Sequence, residues 1–98
     1  MPDKTWKSVE RRYASIFGGE RGGPTGEVDI VHPTFAPEVK HRKKVAKWFK
    51  EMVDQAQTHA PDGKLPFVVL HEKHQRLMEG YVIMTVGDFV DWFGDIEE

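Results

Sequence analysis

The sequence predicts a small α/β domain over residues 1–98, with a central mixed β-sheet flanked by helices. Three observations lead there. Apolar residues recur at helical spacing in two long stretches, Trp6 to Phe17 and Val45 to Ala56. Short runs rich in β-branched and aromatic residues lie between and after them. Clusters of glycine and proline separate these pieces.

In chain order, Trp6, Val9, Tyr13, Ile16 and Phe17 define a first amphipathic helix. Asp3 or Thr5 can cap its start, and Gly18 and Gly19 end it. The stretch Gly18 to Gly26 is expected to be a mobile loop because of its glycines and Pro24. Glu27 to Val31 predicts a strand, His32-Pro33-Thr34 a turn, and Phe35 to His41 a returning strand, the three forming a hairpin. Pro37 fits that second strand only where no ladder hydrogen bond is required. Val45, Trp48, Phe49, Met52, Val53 and Ala56 mark a second helix from Lys43 to His59, stopped by Ala60-Pro61-Asp62-Gly63. Pro66 to His71 and Tyr81 to Val86 predict two further strands, and Val86, Phe89, Val90 and Phe93 a closing helix with Asp88 near its positive end.

With no cysteine among 98 residues, disulfides, thiol catalysis and cysteine-bound zinc are excluded. The longest apolar runs are too short to span a bilayer, and the first residues lack the apolar core of a signal peptide, so a cytoplasmic protein without membrane attachment is expected. Net charge is −2, but the charges are unevenly placed. Lys40, Arg42, Lys43, Lys44, Lys47 and Lys50 follow one another with no acid among them, whereas Asp88 to Glu98 carries acids only. Such asymmetry suits a basic face that meets a polyanion; it also fits a solvated helix face with an acidic tail.

Glu38 and Lys40 are two apart on the expected strand, so their side chains share a face. Folding the hairpin about His32 to Thr34 brings Asp29 near Glu38. Two carboxylates on one pocket make a hard oxygen site suited to Mg2+ or Mn2+, an ion that polarises phosphodiesters and acidifies water. Lys40 beside them could orient that water or stabilise negative charge in the transition state. On the residues alone, the same pattern also fits an exposed strand carrying a salt bridge.

The run Trp6-Lys7-Ser8-Val9-Glu10-Arg11-Arg12, then Phe17-Gly18-Gly19-Glu20-Arg21, Val28-Asp29, Glu38-Val39-Lys40-His41-Arg42-Lys43-Lys44 and Leu65 to Lys73 resembles small phage and archaeal-type Holliday-junction resolvases of the PD-(D/E)xK nuclease superfamily. Val28 stands where a proline often precedes the first acid. The resemblance implies a restriction-endonuclease-like core, endonucleolytic resolution of four-way DNA junctions, and a prokaryotic host cell. It assigns divalent metal to Glu10, Asp29 and Glu38 and the catalytic lysine to Lys40. It further suggests Gln55 beside the active site and Thr25 on a loop over the scissile phosphate.

For three of these residues an ordinary role stands alongside. Glu10 and Gln55 are also plain helix-surface residues, and Thr25 a turn former. His41, Arg42, Lys43, Lys44 and Lys47 are expected to contact phosphates, with Arg11, Arg12 and Arg21 extending that surface. His71 and His74 lack a third ligand at zinc spacing, and the glycine loop lacks the Gly-Lys-Ser/Thr of a P-loop. Trp48 and Phe49 fall on the helix stripe and are expected in the core. Because a four-way junction has two-fold symmetry, a homodimer is expected.

Overall fold

The computed structural model describes residues 5–22 and 29–94. It is a small α/β structure of three helices and two antiparallel sheets of two strands each. Its contacts divide the chain into two compact units, one up to Lys43 and one from Lys44 to Phe93. Both sheets are antiparallel, and no mixed sheet occurs among the described residues.

In the first unit, helix α1 runs Thr5–Phe17, as its apolar spacing predicts. Its expected cap at Asp3 lies outside the described residues. Ala14 is buried, Val9, Tyr13 and Phe17 are half-buried, and the Tyr13 and Phe17 rings stack with centroids 6.1 Å apart. Gly18 takes a left-handed φ of 76°, while Gly18 N–H donates to Ser15 O and Gly19 N–H to Ala14 O. This bond pair is the Schellman ending that glycine permits.

Strand β1 (Glu20–Arg21) then pairs with β2 (Ile30–Val31), Glu20 opposite Val31 and Arg21 opposite Ile30. Gly22 N–H donates to Asp29 O and extends the ladder one step. Residues 20–22, expected in a loop, are therefore strand, and β2 finds its partner upstream rather than in Phe35 to His41. Ile30 is 1% exposed and, with Ala14, forms the buried core of the described residues. Gly19 lies so close under β2 that a Cβ there would stand 2.4 Å from Val31 O.

The turn at His32 to Thr34 forms, and its imidazole organises it. His32 Nδ1 accepts hydrogen bonds from Thr34 N–H and Phe35 N–H, and the His32 and Phe35 rings stack at 5.0 Å. Beyond it, residues 35–41 carry no ladder. Pro37 has no N–H to give to one, which removes a rung from the middle of the expected strand.

In the second unit, α2 spans Lys47–His59 and starts four residues later than its apolar stripe suggests. Ala46 supplies no capping side chain, so nothing in the sequence fixes an earlier start. Its end is as expected: Ala60 is extended before Pro61, and Gly63 takes φ 80°. Strands β3 (Val68–Leu70) and β4 (Tyr81–Ile83) form an antiparallel pair with Val69 opposite Val82, and α2 packs on β3. Helix α3 (Val86–Phe93) is capped by Thr85, whose Oγ1 accepts from Asp88 N–H at 3.1 Å. Gln57 of α2 donates to Asp88 Oδ2 at 3.0 Å, which ties the two helices. No helix is long and apolar enough to cross a membrane.

Gly19→Ala should destabilise the protein by about 1–3 kcal/mol, because its neighbour in β2 is backbone and cannot turn aside. Gly18→Ala should cost about 1 kcal/mol through its left-handed φ alone. Urea unfolding followed by circular dichroism measures both.

Candidate functional site

Asp29 immediately precedes β2 and is half-buried. Its Oδ2 accepts a hydrogen bond from Val39 N–H, so the first acid is held against the peptide between Glu38 and Lys40. The chain reversal expected of a hairpin is thus present, but a side chain closes it instead of a strand ladder. The carboxylate has no other partner among the described residues. Its second oxygen keeps its accepting capacity.

Glu38 and Lys40 sit on the same side of this segment, as expected, though without a strand beneath them. Lys40 Nζ lies 3.0 Å from Glu38 Oε2, with the lysine side chain 64% and the glutamate 69% exposed. This is the salt bridge that the bare residue pattern also allowed. Exposed pairs of this kind contribute under about 1 kcal/mol, so either partner leaves it at little cost.

Glu10 is placed differently. It stands on α1, only 13% exposed, with Oε1 2.9 Å from Arg21 Nε on β1. The bond joins helix to strand across residues eleven apart in sequence. Glu10, Asp29 and Glu38 are accordingly not drawn into one cluster, and no group of three or more His, Asp and Glu side chains suited to a metal ion occurs among the described residues. Arg21, expected on a DNA-contacting surface, directs its Nε to Glu10.

Thr25 lies outside the described residues. Gln55 is exposed on α2 in the second unit, where it lines an open surface cleft with Trp48, Glu51, Met52 and Asp54. Arg11 and Arg12 are exposed on α1, and His41, Arg42, Lys43, Lys44 and Lys47 are all exposed, with Arg42 Nη1 3.4 Å from His41 O. The basic run is therefore accessible along its length.

Trp48 departs from expectation. It is 59% exposed rather than core, while Phe49, Met52, Val53 and Ala56 make up the half-buried face of α2. The apolar stripe is wider than the surface available to cover it, and the residue at its margin is left in solvent. The exposed Trp48 is the feature the sequence reading missed; its position among the lysines of that run was the available signal.

Compared with known proteins, the chain matches no family model, no curated protein and no solved structure.

Asp29→Ala should leave Val39 N–H without its acceptor, costing about 1 kcal/mol at this half-buried position and speeding hydrogen exchange at the Val39 amide. Asp29→Asn keeps an accepting oxygen and should retain most of that protection. Equal exchange in all three proteins would show that the bond does not hold the segment.

Proposed function

We propose that the chain is a divalent-metal-dependent endodeoxyribonuclease of the PD-(D/E)xK class that resolves four-way DNA junctions, with Asp29, Glu38 and Lys40 at its centre and a restriction-endonuclease-like core. The observation that carries this reading is the hydrogen bond from Val39 N–H to Asp29, because it keeps the first acid beside the peptide flanked by the second acid and the lysine. The exposed basic run that follows adds the positive surface a phosphate backbone requires.

The donor chemistry fits Mg2+ or Mn2+. All candidate ligands are oxygens, and magnesium is commonly held by one or two carboxylates, with water and substrate phosphates completing its shell. Asp29 and Glu38 would hold the ion; Glu10 would join them only if its pair with Arg21 opened. When bound, such an ion polarises a phosphodiester and acidifies water. Glu38 is free to turn from Lys40 at little energetic cost, and Lys40 then presents its positive charge to the scissile phosphate. Arg42, Lys43, Lys44 and Lys47 would take neighbouring phosphates, which positions the strand without reading its sequence. Junction shape and backbone, rather than base sequence, would set selectivity. A symmetric homodimer would place one such site on each strand to be cut.

A second reading is favoured by the separation of Glu10 from the other acids: a non-catalytic DNA-binding module. The two readings differ in the need for metal. The deciding experiment incubates end-labelled four-way junction, linear duplex, flap and single strand with magnesium, manganese or chelator. The nuclease reading predicts paired symmetric nicks confined to the junction and abolished by chelator. Asp29→Asn and Lys40→Ala should each lower cleavage by at least about a hundredfold while junction binding persists. Cleavage of every substrate would point to a general nuclease, metal-independent binding without cleavage to the binding module, and retained cleavage in either variant would remove the site assignment.

A further inference from the structure

The indole of Trp48 is 59% exposed at the first turn of α2, in the middle of the chain's strongest run of positive charge. Lys44 and Lys47 precede it and Lys50 follows, all three exposed, and the first turn of the helix carries no acid. Phe49 stands edge-on to the ring, with centroids 5.9 Å apart and an interplanar angle of 72°, and is itself half-buried. The indole is therefore backed by a packed neighbour while much of its surface stays in water. Beside it opens the cleft lined by Glu51, Met52, Asp54 and Gln55. The two acids of that cleft lie toward the C-terminal end of the helix, so a polyanion is drawn to the lysine side and held off the other.

Exposed apolar side chains are common on protein surfaces, and exposure alone assigns nothing to Leu77 or Met78, which are more exposed still. Trp48 differs in its company. An aromatic face set among cations is the combination that binds single-stranded nucleic acid: the cations take the backbone, and the ring takes a base whose own face is uncovered. A base inside a duplex is already stacked on both sides, whereas a branch point or a single strand offers one that is not.

We propose that Trp48 is a stacking platform for an unpaired base of a DNA strand whose phosphates are held by Lys44, Lys47 and Lys50, an assignment that rests on the reading of this chain as a DNA-binding enzyme. It is separate from the Asp29 centre and needs no metal.

The test measures binding of the full-length protein, in chelator, to a labelled thymidine oligonucleotide and to an abasic strand of the same length, which keeps the phosphates and lacks the bases. The wild-type protein should prefer the thymidine strand by about tenfold, within the range that base–aromatic stacking supplies. Trp48→Ala should reduce that preference to about twofold or less while leaving the salt dependence of binding unchanged, since the phosphate contacts remain. Trp48→Phe, which keeps a ring, should retain most of the preference and guards against a folding defect. Thymidine strands should also quench indole emission in the wild type by more than in Trp48→Phe, where Trp6 and Trp92 alone report. If both strands bind but the wild type shows no base preference, or Trp48→Ala keeps it, the platform is refuted while the DNA reading stands. If neither strand nor a four-way junction binds, the DNA reading fails and the platform with it.

Discussion

The hydrogen bond between the Asp29 carboxylate and Val39 N–H does two jobs that a strand ladder would otherwise share. It returns the chain to β2 after the His32 turn, and it brings an acid to the peptide that carries Glu38 on one side and Lys40 on the other. Proline supplies the need for it. With Pro37 in the returning segment, the backbone cannot offer a regular row of donors, so one side-chain acceptor takes the N–H that is available. A carboxylate in that position supports the chain with one oxygen and leaves the other to face a ligand. In the proposed nuclease, the residue that braces the loop is also the residue that binds the ion.

Below this bond lies a close-packed first unit. The Schellman ending of α1 sends the chain straight into β1, and Gly19 lets β2 approach closely enough for Ile30 to be fully enclosed. Glu10 and Arg21 then pin α1 to β1 with a charged hydrogen bond, mostly shielded on the glutamate side. That pairing gives Glu10 a structural part in the protein, whatever ligand role it takes on when DNA and metal arrive. The second unit is fastened in the same manner, by polar side chains at helix ends: Thr85 caps α3, and Gln57 reaches from α2 to Asp88.

The helices were legible from apolar spacing, and their C-terminal ends from glycine and proline, because those residues act through their own backbone. Starts were less legible. α2 has no capping side chain, so the stripe from Val45 ran on past the true boundary at Lys47. Strand β1 escaped notice because two charged residues beside glycines show no alternation, and its existence depends on the partner β2. The nearness of Asp29 to the Glu38–Lys40 segment followed from turn chemistry and chain reversal, although the expected second strand did not form. The Glu10–Arg21 bond could not be read, since it joins positions that become neighbours only once β1 is in place. Trp48 was misjudged because helical periodicity reports which residues share a face, not how much of that face finds a cover.

The central claim is that Asp29 and Glu38 together bind a divalent ion. Two-dimensional amide NMR spectra recorded during titration with Mn2+ test it directly, because the paramagnetic ion broadens signals near its site. The account predicts that the amides of Asp29, Glu38, Val39 and Lys40 broaden first, that Mg2+ competes, and that Asp29→Asn abolishes the effect. Broadening confined to other acidic positions, or unchanged by Asp29→Asn, would contradict it.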